Sequence, residues 1–368
     1  MKKLLLSTFL LSTLIIFNAC DSGTEENPCE NDFDQKAMFM NMANNLIIPA
    51  FTDLKTQVDA MSAASTAFTA NPNQNELTTF RTAWFDAYLS WQSAAQYNFG
   101  PATEVFLRSS VNNFPLNVEE TDANIQTGTY DFSIPDAFDK GFPALDYLLY
   151  GIGADDTEIL GKFTTETDAS KYIQYLTDVV LDIKTRVDHT HNGWTVENYD
   201  ETFNNNTGTA AGSSLSLVIN HLNENYELIK RDKIGIPSGL LTLGFTNPTK
   251  TEAYFSGRSL ELAAPALEAT RNFYLGGNGI GLDDFLIEVD AKKSNDELLN
   301  EVIINQFAIA TTNLSALSGK LSDEVSNNAT AVENAYNALS SQLINIKTDL
   351  PSILCVSITY IDNPVDTD

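Results

Sequence analysis

The chain of 368 residues has few of the residues that most often carry metal or nucleophilic chemistry. It contains only three histidines and three cysteines, and no His-Glu-x-x-His pattern. A zinc peptidase needs about three protein ligands and a general base. His189 and His191 are two positions apart, so on a helix their side chains diverge by roughly 200°, and His221 stands alone. The sequence therefore predicts no catalytic residue, no metal and no other cofactor.

Basic residues are also scarce, and this excludes one class of partner. Lys and Arg total 21 against 49 Asp and Glu, which gives a formal net charge of −28. A field of this sign repels nucleic acid and anionic lipid head groups. We therefore expect no nucleic-acid partner. The acidic composition attracts cations in general and is not by itself evidence for a metal site.

Hydrophobic runs long enough for a membrane span are lacking as well. The apolar stretch from Leu4 to Phe17 is about 14 residues, whereas a span needs about 20. Two lysines precede it and Cys20 follows it, as in an export signal. A cysteine after a small residue at the cleavage point is typical of bacterial lipoproteins. We therefore expect a signal peptide at residues 1–19 and a lipid on Cys20, with an ordinary secretory signal as the alternative.

Lipidation at Cys20 predicts a protein of the cell envelope that contacts the membrane through its lipid. It could face the periplasm or the cell surface, most simply from the outer membrane. Residues 20–31 are polar and should form a tether between the lipid and the fold. The membrane partner is thus expected through the anchor.

Two cysteines remain after lipidation, Cys29 and Cys355, one near each end of the mature chain. An even pair in an oxidising envelope can form a disulfide. Such a bridge would close a very long loop, for which chain entropy allows about 4–5 kcal/mol of stabilisation at most. Two unpaired cysteines are an equally good interpretation.

Helical periodicity dominates the rest of the sequence. Apolar residues recur at spacings of three and four in residues 75–97, 168–188 and 213–231, and again near 295–318 and 325–350. No stretch alternates with period two between hairpin turns, so strands are minor at most. The expected fold class is all-α.

Proline, glycine and polar residues predict where the helices are interrupted. A first long helix should span about residues 32–69, with Pro49 kinking or splitting it. Residues 121–133 and 200–214 are rich in Ser, Thr, Asn and Gly and should be loops.

The segment Gly141–Gly151 resembles the signature of the imelysin-like proteins, a bacterial envelope family with the motif Gly-x-His-x-x-Glu. Side chains three positions apart share one helix face, so that His and Glu could hold one metal ion. Here Pro143 occupies the His position and Asp146 the Glu position. Proline has no side-chain donor, so we expect no transition-metal site. It should fit the first turn of a helix that begins near Gly141.

Further blocks resemble the family in the same order along the chain: Leu46–Phe51, Arg81–Trp84, Lys233–Gly239, Glu252–Leu262 and Gly279–Leu286. The resemblance implies two helical bundles with a site between them. It also implies a relation to iron uptake or, for some members, to metallopeptidases.

Chain length favours the same division, because the chain exceeds the usual size of one core. We expect two helical-bundle domains, residues 32–156 and 157–368, with a boundary in the segment 151–167.

The candidate ligand-binding residues lie in the motif and in the late blocks. They are Gly141, Pro143, Asp146, Glu252, Ser256 and Arg258. Asp146 would act as a site carboxylate or as a structural acid. Glu252 and Arg258 would pair with each other or face the same cleft.

These features favour a lipid-anchored, imelysin-like envelope protein with a binding or accessory role, on the family's precedent in iron uptake. Its partner would be a small ligand or an envelope protein. A metallopeptidase is the first alternative. A structural surface lipoprotein without a working site is the second.

Overall fold

The computed structural model describes Cys29 and residues 31–360. The predicted signal peptide, Cys20 and most of the tether lie outside the described residues. The described part of the chain is helical, and its only β feature is an isolated bridge between Lys292 and Leu298. The all-α prediction is therefore confirmed.

The helices follow one another with short connections. In the first half they are α1 (Gln35–Met42), α2 (Ile48–Ala70), α3 (Gln74–Ala94), α4 (Pro101–Glu104), α5 (Leu107–Val111), α6 (Val118–Thr127), α7 (Gly141–Tyr150), α8 (Asp156–Thr164) and α9 (Ala169–Thr195). In the second half they are α10 (Tyr199–Asn205), α11 (Ser214–Leu228), α12 (Ile236–Ser238), α13 (Ser259–Tyr274), α14 (Leu282–Glu288), α15 (Leu299–Ser315), α16 (Leu321–Asn327), α17 (Ala329–Leu343) and α18 (Leu350–Ile353). Three π-helical turns occupy Ala43–Ile47, Ile229–Gly235 and Ile344–Asp349, and a 3₁₀ turn occupies Pro248–Lys250.

Each π turn is followed at once by a helical segment with proline near its start. The prolines are Pro49, Pro237 and Pro351. Proline lacks an N–H and its ring clashes with the carbonyl four residues earlier. In all three cases that earlier residue lies in the π turn, whose wider hydrogen bonding relieves the conflict. The chain therefore stays helical from Gln35 to Ala70, and the break expected at Pro49 takes the form of a π turn.

The prediction of loops at 121–133 and 200–214 was wrong for the start of each segment. Residues up to Thr127 belong to α6, whose first turn is capped by the Asn117 side chain accepting from Glu120 N at 3.2 Å. Acidic residues in the first turn and left-handed Gly128 at its end complete this helix. Residues 199–205 likewise form α10.

The long helices pack through the apolar stripes seen in the sequence. α2 lies against both α3 and α9, α3 contacts α13, and α15 packs on α17. Phe80, Trp84, Tyr88 and Trp91 of α3 are fully buried, and each such side chain contributes about 1.5–3 kcal/mol. The expected boundary at residue 156 assigns α9 to the second half, although α9 packs along α2. The division into two domains stays a prediction.

Cys29 and Cys355 are joined by a disulfide whose Cα atoms lie 5.6 Å apart. The bond connects residues separated by 326 positions and fixes the start of the described chain beside its last helix. Among the helices of residues 31–360, none combines the length and the apolar character that a membrane span requires.

Candidate functional site

The motif segment forms a buried helix whose frame is set by packing. Gly141 begins α7 with φ +76°, and a Cβ at this position would lie 2.4 Å from the carbonyl oxygen of Val111. Glycine is required there for both reasons. Pro143 lies in the first turn, where its missing N–H costs no helical hydrogen bond. Gly141 and Pro143 therefore support the fold of α7, independently of any ligand or reaction at this site.

Asp146 is buried in α7 and ties this helix to the turn that precedes α13. Its Oδ2 accepts a hydrogen bond from Phe255 N at 2.8 Å, and its Oδ1 accepts one from Ser256 N at 3.1 Å. Burial raises the pKa of Asp146 to about 6, although these hydrogen bonds oppose the shift. Both carboxylate oxygens are therefore engaged by the protein itself.

The turn that receives Asp146 has a strained backbone. Ala253 is buried and has φ 48°, a left-handed conformation that residues with a Cβ adopt rarely. Its carbonyl oxygen accepts from Gly257 N at 3.0 Å and from Ser256 Oγ at 3.3 Å. Strain of this kind is retained where surrounding contacts enforce it, often at functional sites.

Glu252, the residue before Ala253, is the centre of a buried polar network. Its Oε2 forms an ion pair with Lys233 Nζ, and its Oε1 accepts from Asn112 Nδ2 at 2.9 Å. Lys233 also donates to Gln92 Oε1 at 2.9 Å. Burying a charge is tolerated when it is paired and hydrogen-bonded, and this network meets that condition.

Tyr88 of α3 faces both buried carboxylates. Its hydroxyl oxygen lies 2.6 Å from Asn112 Oδ1 and 3.1 Å from Glu252 Oε1. Burial raises the pKa of Tyr88 well above its usual range, and the charges of Glu252 and Asp146 add to the effect. The structure therefore brings Asp146 and Glu252 into one buried region.

Arg258 does not pair with Glu252, so the first of the two alternatives for these residues was wrong. Its guanidinium contacts Glu261 at two points, 3.0 Å from Nε to Oε1 and 2.7 Å from Nη2 to Oε2, and lies over the Phe85 ring. Lys233, a buried residue of the π turn Ile229–Gly235, takes the position beside Glu252 instead.

Sequence reasoning missed the partners of Glu252. Tyr88, Gln92 and Asn112 belong to no motif, so the sequence did not indicate them as site residues. Only Lys233 could have been noticed in the sequence, because it is a charged residue four positions before Pro237 within a helical pattern.

Two cavities adjoin this region, and Phe114 lines both. The motif cavity has a volume of about 370 Å³, with Pro143, Asp146 and Ala253 in its wall. The Trp91 cavity has a volume of about 500 Å³, and its wall includes Lys233, its partner Gln92, and Asn112, which bonds Glu252. Neither Ser256 nor Arg258 lines either cavity.

The residues at the motif do not fit a transition-metal ion. Pro143 supplies no donor, and the Asp146 oxygens already accept two backbone N–H groups. Within residues 31–360, no group of three or more His, Cys, Asp or Glu is placed to hold a metal. His189 lies 3.0 Å from Glu104 and His221 lies 2.9 Å from Glu224, so these histidines are engaged elsewhere.

The fold and the site define an all-helical protein in which Asp146 of the buried helix α7 holds the turn that precedes α13. The imelysin family model, described as peptidase M75, matches residues 47–346. The chain belongs to the imelysin family.

Solved structures with the same fold are distant in sequence. An iron-regulated protein A precursor from Parabacteroides distasonis ATCC 8503 is similar with a TM-score of 0.73 at 16% identity, covering 88% of this chain and 96% of that one. An imelysin-like protein from Psychrobacter arcticum 273-4 has a TM-score of 0.65 at 20% identity, covering 89% and 97%. Among curated proteins, no match is found. These likenesses show the fold alone.

Proposed function

We propose that this chain is a non-catalytic binding or accessory member of the imelysin family, held at the cell envelope by a lipid on Cys20. The observation that carries the proposal is that the motif residues Pro143 and Asp146 offer no free donor to a metal ion. A catalytic metal needs donors with free lone pairs and an open position for substrate. Pro143 offers none, and Asp146 is held by the N–H groups of Phe255 and Ser256.

The envelope location and the iron role rest on different support. The N-terminal sequence, with its apolar run ending at Cys20, supports export and lipidation. A role in iron acquisition is supported by the printed name of a distant structural relative, which calls that protein iron-regulated. The two parts of the proposal can therefore fail separately.

The metallopeptidase alternative is tested with protein purified without chelator from a form that begins after Cys20. We expect no stoichiometric zinc or iron by elemental analysis, and no cleavage of unfolded casein when several metals are added back. Chelator-sensitive cleavage that is lost in Asp146→Ala would overturn the non-catalytic assignment.

Transcript levels under iron limitation test the iron role. Induction together with neighbouring uptake genes would support it, and indifference to iron would remove it while leaving a binding protein. A structural surface lipoprotein would instead bring down envelope proteins in pull-downs and show no small-ligand binding.

A further inference from the structure

The Trp91 cavity is a second, partly open cavity that the motif does not explain. It has a volume of about 500 Å³, within the range of sites for small molecules. Its wall comes from α3, from the segment around α5 and from α11 with the π turn that follows. It shares Phe114 with the motif cavity, but neither Pro143 nor Asp146 lines it.

Two buried donors in this wall have no hydrogen-bond partner among the described residues. One is the indole Nε1–H of Trp91, a side chain that is 1% exposed. The other is Nε–H of Arg108, whose Nη2 donates to the Ala95 carbonyl oxygen. Buried donors are nearly always satisfied, so unpaired donors beside a cavity point to a group that enters it.

The same wall also offers an acceptor. Asn225 is buried, and its Nδ2 donates to Thr270 Oγ1 at 3.0 Å. Its Oδ1 accepts from no group among the described residues. A ligand that enters this space meets both donors and an acceptor, which suits groups that donate and accept at once.

Each cationic group of the wall has an anionic partner. Arg108 Nη1 lies 2.7 Å from Glu224 Oε2, and Lys233 is paired with Glu252. Burial alone would raise the pKa of Glu224, but Arg108 and His221 hold it at about 2, so Glu224 is the anion that Arg108 requires. Arg231 Nε likewise lies 2.7 Å from Asp232 Oδ1. An anionic ligand would therefore find no free counter-charge, and burying it would be costly. Among the acids of the wall, Asp136 alone has no ion pair with a described residue, and its exposure to solvent weakens its attraction for a cation.

Two aromatic rings complete the surface. Phe106 is 53% exposed, and with Phe114 it lines the cavity. Aromatic faces beside paired polar groups suit a molecule with apolar C–H faces and polar edges.

We propose that the Trp91 cavity binds a neutral polyhydroxylated molecule of the size of a mono- or disaccharide. Its hydroxyl groups accept from Trp91 Nε1 and Arg108 Nε and donate to Asn225 Oδ1. The inference names a ligand class for a site outside the motif, and it does not depend on the iron role or on the Cys20 anchor.

The chain contains its own matched control for the test. Trp194 is also 1% exposed with an unpartnered Nε1, but it does not line the cavity. Trp91→Phe and Trp194→Phe therefore remove the same atoms from equally buried positions. Phe106→Ala is a third variant, at a position where the side chain is about half exposed.

Calorimetric titrations at millimolar concentration would use glucose, galactose, mannose, maltose and cellobiose, with succinate and putrescine as charged probes. We expect at least one saccharide to bind and the charged probes not to bind. Trp91→Phe should weaken that binding about tenfold through one lost hydrogen bond, and Trp194→Phe should leave it unchanged. Phe106→Ala should weaken it as well, which keeps the test decisive if Trp91→Phe folds poorly.

Three results would overturn the proposal: binding of succinate or putrescine instead of sugars, sugar binding that survives both Trp91→Phe and Phe106→Ala, or no binding by any probe. None of these bears on the metal analysis or on the iron response. Failure here is therefore distinguishable from failure of the proposed function.

Discussion

Asp146 and Glu252 are equally buried in one region, but their charges are balanced by different groups. Two backbone N–H dipoles hold Asp146, and the pKa of its carboxyl rises to about 6 because these dipoles do not offset the loss of water. Glu252 has a full positive charge in contact, Lys233, and hydrogen bonds from side chains besides. Asp146 is thus a titratable residue that links α7 to the turn before α13, whereas Glu252 is one partner of an ion pair.

This difference changes how each residue responds to perturbation. Protonation of Asp146 removes its buried charge, so its effect on stability should follow pH. Glu252 and Lys233 depend on each other, so removing one leaves a buried charge without its partner. Mutation should therefore affect the ion pair more, and pH should affect Asp146 more.

The largest effect is expected from Lys233→Met, which leaves Glu252 charged and buried. We expect a loss of about 3–5 kcal/mol in the free energy of unfolding, measured by urea denaturation at neutral pH. Glu261→Ala is the control, because it breaks the Arg258–Glu261 pair, where Glu261 is exposed, and should cost about 0–1 kcal/mol.

A double variant separates charge from packing in this result. Lys233→Met with Glu252→Gln removes both charges and should recover part of the lost stability. If the single and double variants are equally destabilised, the ion pair is not the cause and the comparison with Asp146 fails.

The second effect concerns the pH dependence of stability through Asp146. Its folded pKa of about 6 lies above the usual value of 3.8, so the folded state holds the proton more tightly. The contribution is fully present below about pH 4 and is lost as pH rises through about 6, which corresponds to about 3 kcal/mol. Asp146→Asn should flatten the stability profile between pH 4 and 7 by about this amount.

Asp156 gives a control of opposite sign. Hydrogen bonds from Arg81 and Gln74 lower the pKa of Asp156, so its contribution is present at neutral pH and is lost as pH falls through the folded pKa. Asp156→Asn should therefore remove stability at neutral pH and little at low pH. An Asp146→Asn profile parallel to that of the parent protein would show that Asp146 does not titrate in this range.

The helical fold was predictable because the buried face of a helix appears in the sequence as a regular spacing of apolar residues. Leu77, Phe80, Trp84 and Tyr88 recur at spacings of three and four, and this pattern requires no knowledge of what α3 packs against. α6 was not predicted because it is short and polar. Its capping residues indicate a helix, but it has no apolar stripe. The π turn before Pro49 was not predicted either. A proline indicates a steric clash with the carbonyl four residues earlier, but not whether the helix breaks, kinks or forms a π turn.

The site was predictable only where geometry is local. The position of Pro143 in the first turn of α7 followed from its missing N–H, and Gly141 followed from the resemblance. The contacts of Glu252 did not, because Tyr88 and Lys233 come from other helical stretches and only the tertiary fold decides which polar groups meet. Arg258, the nearby residue that was expected as a partner of Glu252, instead forms an ion pair with Glu261 three positions away.

The smallest effect is expected from restoring the motif. Pro143→His with Asp146→Glu returns the family's two side chains to one helix face, and Pro143→His alone is the matched control. We expect zinc affinity to rise above that of the parent protein but to stay weak, because two ligands do not complete a zinc site. The restored acid must also compete with the N–H groups of Phe255 and Ser256 for its own lone pairs. Calorimetric titration with zinc measures the rise. Tight, stoichiometric binding by the double variant would show that further donors converge on the motif cavity, and the motif would then lack only its histidine.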